Sequence, residues 1–256
     1  MTLPDSDALA AELCRIARAA GDAIMAVYRG EIAVRAKADA TPVTDADEAA
    51  ERIIVEALGA LAPELPVVAE ELAAAGRAPD VGDGRFWLVD PLDGTKEFIG
   101  RNGEFTVNIA LIEDGRPVEG VVLAPALAVT YFTRDGAAWM AANGGAARRI
   151  EVRQPAADGL VAVVSRSHYS PETDDFLAGY TVKAERAAGS SLKFGLIARG
   201  EADLYPRLGR TMEWDTAAGH AVVLAAGGSV RRLDGGDLTY GKPGFENPHF
   251  VVRGVD

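Results

Sequence analysis

Six consecutive residues, Asp90-Pro91-Leu92-Asp93-Gly94-Thr95, put two carboxylates, a hydroxyl and a glycine into one tight turn. Oxygen ligands of this kind suit a hard cation such as Mg²⁺, which keeps some of its own waters. Gly94 and Thr95 add backbone N–H groups and a hydroxyl that can receive a phosphate oxygen. Taken alone, the stretch is equally an ordinary surface turn after a strand. Two further acidic landmarks stand elsewhere, Glu70-Glu71 and Trp214-Asp215. Each has a plain structural explanation. Paired acids at a strand exit are usually solvated, and Asp215 stands where a helix N-cap belongs. One chemistry accounts for all three together. Two divalent metals about 3.5–4 Å apart hold a water on one side and a phosphate ester on the other, stabilising attacking and leaving oxygens at once. It needs several carboxylates and neither sulfur nor imidazole. The three histidines, His168, His220 and His249, lack zinc-ligand spacing.

The elements that must position these acids follow from hydrophobic pattern and turn residues. Phe86-Trp87-Leu88-Val89 reads as a buried strand ending on Asp90, with Pro91 stopping the ladder. Residues 65–69 form a short strand that exits at Glu70-Glu71, and 73–84 a mobile loop rich in Ala, Gly, Pro and Asp. Asp5 or Ser6 caps a first helix with Leu9, Leu13, Ile16, Ala20, Ile24 and Val27 on one face, stopping near Gly30. Residues 32–36 form a strand and 37–41 a charged loop. Thr44 or Asp45 starts a second helix with Ile53, Ile54 and Leu58, closed by Gly59 or Pro63. Asp47 lies in its first turn, where the helix dipole alone is reason enough for an acid.

Beyond the opening motif, 106–112, 118–123, 128–133 and 138–141 alternate as an antiparallel meander, turning at Glu113-Asp114-Gly115 and Asp135-Gly136. Residues 150–153 add a strand before Gln154-Pro155. A soft boundary there divides the chain into 1–155, with the acids at 70, 90 and 93, and 156–256, with Asp215. The second half alternates strands (160–164, 181–185, 202–205) with helices (171–177, 190–199, 215–226), as an α/β layer does.

With 26 Lys and Arg against 38 Asp and Glu, the 256-residue chain carries a formal charge of −12, a field that repels nucleic acid and anionic lipid. At 48% hydrophobic residues it can bury a substantial core. The single Cys14 excludes an intramolecular disulfide and fits a reducing compartment; its helix makes it a small buried hydrophobe rather than a nucleophile. No signal peptide or membrane-length apolar run is seen, so a soluble, cytoplasmic protein is expected.

The three acidic landmarks, in this order and at these distances, resemble the magnesium-dependent, lithium-sensitive phosphatases of the inositol monophosphatase superfamily. The resemblance covers essentially the whole chain. Residues 90–99, 101–108, 165–168, 189–194 and 204–207 look most like its bacterial 3′(2′),5′-bisphosphate nucleotidase branch. The fold this implies is of the α+β class, a layered α-β-α-β-α sandwich. For the site, the resemblance implies a first Mg²⁺ on Glu70, Asp90 and the Leu92 carbonyl, a second on Asp90, Asp93 and Asp215, and a third, weaker one reached by Glu70. Thr95, with either Glu70 or Asp47, would orient and deprotonate the attacking water, and Gly94 and Thr95 would cradle the scissile phosphate. Ala69 departs from the pattern, since relatives often carry Ser or Gly there. The implied substrate is adenosine 3′,5′-bisphosphate, cleaved at the 3′-phosphate to AMP. Lys193 and Arg207 are candidates for the uncleaved phosphate, and His168 and Ser190 for contacts to the nucleotide; as bare residues, Lys193 could be a solvated helix position and His168 a polar loop one. The partner expected is this small ester and no nucleic-acid polymer, with monomer or homodimer, and peripheral placement at the inner membrane, left open. The close rival is a phosphatase of inositol phosphate or fructose 1,6-bisphosphate. A non-catalytic phosphate-binding regulatory protein is the remote one, and the complete set Glu70, Asp90, Asp93, Thr95 and Asp215 argues against it.

Overall fold

A computed structural model describes residues 3–36, 41–82 and 84–255. The chain begins with helix α1 (Ser6–Tyr28), capped by Asp5, whose carboxylate accepts the Ala8 N–H at 2.9 Å. A small antiparallel pair, β1 (Val34–Ala36) and β2 (Pro42–Thr44), leads into helix α2 (Asp45–Leu61). The loop expected at 37–41 falls outside the described residues except for Thr41. Helix α2 opens on a capping box in which the Thr44 backbone N–H donates to the Asp47 carboxylate. It runs through Gly59 and ends ahead of Pro63.

A seven-stranded sheet follows, built in chain order: β3 (Val67–Ala69), β4 (Phe86–Asp93), β5 (Thr106–Glu113), β6 (Arg116–Ala124), β7 (Val129–Arg134), β8 (Ala137–Ala142) and β9 (Arg148–Ile150). The expected meander is its antiparallel body; only β3 and β4 run parallel. Two-residue turns at Asp114-Gly115 and Asp135-Gly136 have positive φ at both positions, the mirror-image turn that matches strand twist. Two short helices interrupt the order, α3 (Glu70–Ala74) and α4 (Thr95–Ile99). The Glu70-Glu71 pair therefore opens a helix rather than a loop, and the irregular segment after it starts at Ala75.

The second sheet is mixed, in the order β11-β10-β12-β14-β13: β10 (Leu160–Ser165), β11 (Val182–Ala188), β12 (Leu204–Arg207), β13 (Ser229–Arg232) and β14 (Phe250–Arg253). Helices α5 (Pro171–Leu177), α6 (Leu192–Ala198) and α7 (Ala217–Ala225) connect it. Strands β13 and β14 were not foreseen, being four residues each and hemmed by Gly and Pro. Helix α7 begins two residues later than expected, so Thr216, not Asp215, is its flanking residue and Asp215 is no N-cap.

Burial alternates along the strands and defines the layers. Trp87 and Val89 face α1 and α2 in one core, while Phe86 and Leu88 face α6 and α7 in another. Beyond α6 and α7 the second sheet turns Val163, Tyr205, Phe250 and Val252 to that same core, and Val164, Leu204 and Val251 to α5 on its far side. The order is helix, sheet, helix, sheet, helix. This is the expected five-layer sandwich. Residue 155 lies in the connection between β9 and β10, and the core around α6 and α7 draws on residues from both sides of it.

Strand β4 does not end at Asp90. Its ladder to β5 passes from Asp90↔Asn108 to Asp93↔Thr106, so Pro91 and Leu92 stand against Val107 alone. That is a β-bulge, a place where proline's missing N–H costs no ladder bond. In a regular strand, residues three apart point to opposite faces. The extra residue resets the alternation and lets both aspartates face one side.

Helix α7 lies so close to β6 that a Cβ on Gly120 would sit 2.5 Å from the Ala218 carbonyl oxygen and 2.9 Å from the Ala221 Cβ. Gly120→Ala is expected to destabilise the protein by about 1–3 kcal/mol through overpacking, read as a lower denaturant midpoint. Gly136, with open space around its Cβ position, makes a packing-free contrast in which only its positive φ opposes alanine.

Candidate active site

A cleft of about 540 Å³ opens between the two sheets. Its walls receive Glu70 from the start of α3, Asp90, Leu92 and Asp93 from the bulged end of β4, Gly94 and Thr95 from the start of α4, and Asp215 from the segment before α7. Ser190, Lys193, Arg207 and His168 line it from the second half. Asp47 is the one expected residue that does not line the cleft; it is buried behind Thr95.

The acids are held by donors that fit their positions. Asp90 accepts the Leu92 N–H at 3.0 Å, closing the bulge on itself. Asp93 lies 3.0 Å from the Ser191 hydroxyl and 3.4 Å from the Asn108 amide nitrogen. The Ser191 hydroxyl is also 2.7 Å from the Asp215 carbonyl, so its single proton serves one of the two at a time. Asp215 accepts the Met212 N–H at 2.9 Å. Burial pushes the Asp90 carboxyl well above the usual range, and Glu70, Asp93 and Asp215 push it further. Asp215 is raised well for the same reasons, burial first, then Asp93 and Glu70. Burial also raises Asp93, but the Lys193 ammonium, Ser191 and Asn108 oppose it.

Thr95 stands at the head of α4, and its hydroxyl donates to Asp47 at 3.4 Å. The other Asp47 oxygen receives the Thr44 N–H at 2.8 Å and hydroxyl at 2.7 Å. The acid that the dipole alone would explain thus also touches Thr95. Gly94 adopts φ +90°, a left-handed conformation that lets the chain turn from strand into helix beneath the cleft.

Lys193 is no solvated helix residue. It is buried, its ammonium donates to the Ser190 and Ala188 carbonyls, and it lies 5.4 Å from the Tyr205 ring centroid. Burial lowers its pKa to about 8, with Asp93 opposing. Arg207 is 8% exposed; one terminal nitrogen donates to the Arg210 carbonyl, while its Nε is buried without a partner among the described residues. The Ser190 hydroxyl is likewise buried and unpartnered, on a residue held at φ +43°. His168 stands 3.2 Å from the Lys96 ammonium, and burial, Arg207 and Lys96 lower its pKa.

Three residues about the cleft were not foreseen. Asn108 and Ser191 hold Asp93, and buried Glu97 receives the Ser167 hydroxyl. Asn108 could have been found, since an amide inside the apolar run Val107-Asn108-Ile109 needs a partner. Ser191 and Glu97 carry no such signal, because serines after glycine and acids in first helical turns are commonplace.

The donor set suits Mg²⁺. Among the described residues no three His, Cys, Asp or Glu side chains close on one point as a ready-made cage. Mg²⁺ does not ask for one: it binds through one or two carboxylates and substrate phosphate and retains waters. Five acids, Glu70, Asp90, Asp93, Glu97 and Asp215, share the cleft with one buried ammonium. The charges of Glu70, Asp93 and Asp215 all resist ionisation of Asp90. A divalent cation would offset that repulsion.

Comparison with known proteins agrees with this geometry. Residues 5–250 match the model of the inositol monophosphatase family. The 3′(2′),5′-bisphosphate nucleotidase CysQ of Salmonella typhimurium is 49% identical over 244 residues, covering 94% of this chain and 98% of that protein. The protein of the same name from Escherichia coli K12 is 48% identical with the same coverage. Among solved structures, CysQ from Bacteroides thetaiotaomicron, described as a bacterial member of the inositol monophosphatase family, superposes with a TM-score of 0.77 at 38% identity, covering 96% of both chains. An inositol monophosphatase from Zymomonas mobilis gives 0.79 at 27% identity, covering 98% of this chain and 94% of that one.

The raised carboxyl pKa values carry a signed expectation. A carboxyl raised above its usual value keeps its proton to higher pH than a free one, and a cation must displace that proton. Divalent-cation binding should therefore release protons, tighten as pH rises and release fewer protons at the higher pH. Calorimetry of Mn²⁺ binding in buffers of different ionisation enthalpy reads this directly. Binding without proton release would show that these acids are not the ones that receive the ion.

Proposed function

Because this chain belongs to the inositol monophosphatase family, we propose that it is a 3′(2′),5′-bisphosphate nucleotidase, hydrolysing the 3′-phosphate of adenosine 3′,5′-bisphosphate to AMP and phosphate. The observation that carries the substrate choice is Arg207. In a strongly acidic protein, a buried guanidinium whose Nε has no partner among the described residues lines the same cleft as five carboxylates. Once its single phosphate is engaged, an inositol monophosphate offers such a cation only neutral hydroxyls. A second phosphate does.

In this reading Glu70, Asp90 and the Leu92 carbonyl hold one Mg²⁺, Asp90, Asp93 and Asp215 a second, and Glu70 reaches a third. Bound there, the ions would neutralise the phosphate and lower the pKa of water. The chain's own groups do the rest. Gly94 and Thr95 seat the scissile phosphate, and the Thr95 hydroxyl, backed by Asp47, orients the water and passes on its proton. The water oxygen bonds to phosphorus, the bond from phosphorus to the 3′ oxygen breaks, and that oxygen takes up a proton as the sugar hydroxyl. Arg207 and Lys193 hold the 5′-phosphate, and His168 and Ser190 line the nucleoside side. Lithium competes with Mg²⁺ at the site formed by Asp90, Asp93 and Asp215. The cytoplasm is its place of action, and no described helix is long and apolar enough to cross a membrane.

Phosphate release from adenosine 3′,5′-bisphosphate, inositol 1-phosphate and fructose 1,6-bisphosphate, with Mg²⁺, with chelator and with Li⁺, tests the assignment. The bisphosphate nucleotide should have the highest kcat/KM, and chelator should abolish turnover. A preference for inositol 1-phosphate or for fructose 1,6-bisphosphate would overturn it.

Two variants test the roles. Thr95→Ala removes the hydroxyl that orients the water and should lower kcat by about 10²–10⁴-fold while Mn²⁺ affinity holds; an unchanged kcat would reduce Thr95 to a helix-start residue. Arg207→Ala should cost the nucleotide about 1.5–3 kcal/mol of a charged hydrogen bond, roughly a 10- to 150-fold drop in kcat/KM. Inositol 1-phosphate should change little. Lys193 is the poorer probe, since it also compensates Asp93. Equal losses on both substrates in Arg207→Ala would remove the 5′-phosphate role.

A further inference from the structure

Helix α2 carries a second buried acid one turn beyond Asp47. Glu51 is 6% exposed, and its carboxylate accepts the backbone N–H of Glu71 at 2.7 Å and of Leu72 at 3.4 Å. These are the second and third N–H groups of α3, left without partners inside that helix and normally met by an N-cap side chain. The N-cap of α3 is Ala69, which makes no side-chain cap bond. We infer that Glu51 is a positioning residue for Glu70. It caps α3 from a neighbouring helix, supplying what Ala69 lacks, and so sets how the first residue of α3 presents its carboxylate to the cleft. The inference rests on the reading of Glu70 as a metal ligand.

The need for an outside cap follows from size. Helix α3 has five residues, far below the length at which a helix holds itself, and it follows directly on the three-residue strand β3. Without an acceptor at its start, its first turn can fray, and Glu70 is in that turn. The choice of α2 as the source has a further consequence. Residues four apart lie one above the other on a helix face. Asp47 meets the Thr95 hydroxyl, and Glu51, one turn along, meets the start of α3. One helix thereby ties the hydroxyl that orients the water to the carboxylate that binds the ion. Burying Glu51 in a region already rich in acid is unfavourable unless its oxygens are hydrogen-bonded. Two backbone N–H groups meet that requirement.

Mn²⁺ binding followed by electron paramagnetic resonance, with backbone amide exchange, tests this on the full chain. Glu51→Ala should weaken Mn²⁺ binding about 10–100-fold, as loss of an outer-sphere partner does, and should speed exchange at the Glu71 and Leu72 amides. Activity lost at low Mg²⁺ should return as Mg²⁺ is raised, which a general loss of fold would not allow. Glu51→Gln keeps an acceptor oxygen and should stay near the parent. Adding Ala69→Ser to Glu51→Ala restores a cap within the chain and should recover binding. Parent-like Mn²⁺ affinity in a folded Glu51→Ala protein would overturn the inference, as would a folded double variant that recovers nothing. If Glu51→Ala does not fold, the unmodified protein decides: Glu71 and Leu72 amides that exchange as fast as those of the exposed residues Ala78 and Asp80 would overturn it. Glu70→Gln separates the two readings. If it leaves Mn²⁺ binding unmoved, the metal assignment itself fails; if it weakens binding and Glu51→Ala does not, only the cap role fails.

Discussion

Five carboxylates crowd one cleft, and most of the surrounding architecture makes that crowding tolerable. Like charges removed from water repel and resist ionisation, and Asp90 and Asp215 show it in their raised pKa values. The protein answers with fixed donors. Ser191, Asn108, the Met212 amide and the Leu92 amide each meet one acid, and the buried Lys193 ammonium lies against Asp93. These donors leave the acids in place without neutralising them all. A divalent cation would complete the balance, and a cleft that is costly alone would then be suited to phosphate chemistry.

The layered fold serves this cleft from both sides. The first sheet delivers Asp90 and Asp93 through the bulge at Pro91, and the parallel pairing of β3 with β4 brings Glu70 beside them. The second sheet and its helices deliver Asp215, Lys193 and Arg207. Helices α6 and α7 sit between the sheets and pack on both, so the two sets of groups are held in register by one apolar layer. Close approach at Gly120, Gly195 and Gly219 shows how tightly that layer is built: a Cβ on any of them would lie 2.5 Å from a neighbouring atom.

Buried cations distinguish the far wall. Lys193 spends its donors on the Ser190 and Ala188 carbonyls and its charge on Asp93, so it belongs as much to the acid cluster as to any ligand. Among the described residues, the Arg207 Nε and the Ser190 hydroxyl find no partner. Unmet polar groups inside a folded protein are costly. In the proposed reading they meet a second anionic group, beyond the phosphate being cleaved.

Much of this was legible from residue types and spacing. The acids, the strand before Asp90, the meander with its two mirror-image turns, and most helices follow from local periodicity and turn chemistry, which depend on near neighbours in the chain. The three acidic landmarks, at 70–71, 90–95 and 214–215, pointed to the family because they occur together in that order. What local pattern could not reveal was anything set by distant segments meeting. Strand β4 read as ending on Asp90, because only its pairing with β5 exposes the bulge that turns Asp90 and Asp93 to one side. Asp215 alone read as an N-cap, because its bond to Met212 and the later start of α7 depend on how the 211–216 segment folds back. Asp47 was tied to Thr95 by the family resemblance alone, and nothing in the local pattern singled out Glu51; both contacts come from α2 packing against the starts of α4 and α3. Sequence determined which groups were available for chemistry. Tertiary packing decided which of them share a cleft, since burial and mutual charge act between residues close in space, whatever their separation along the chain.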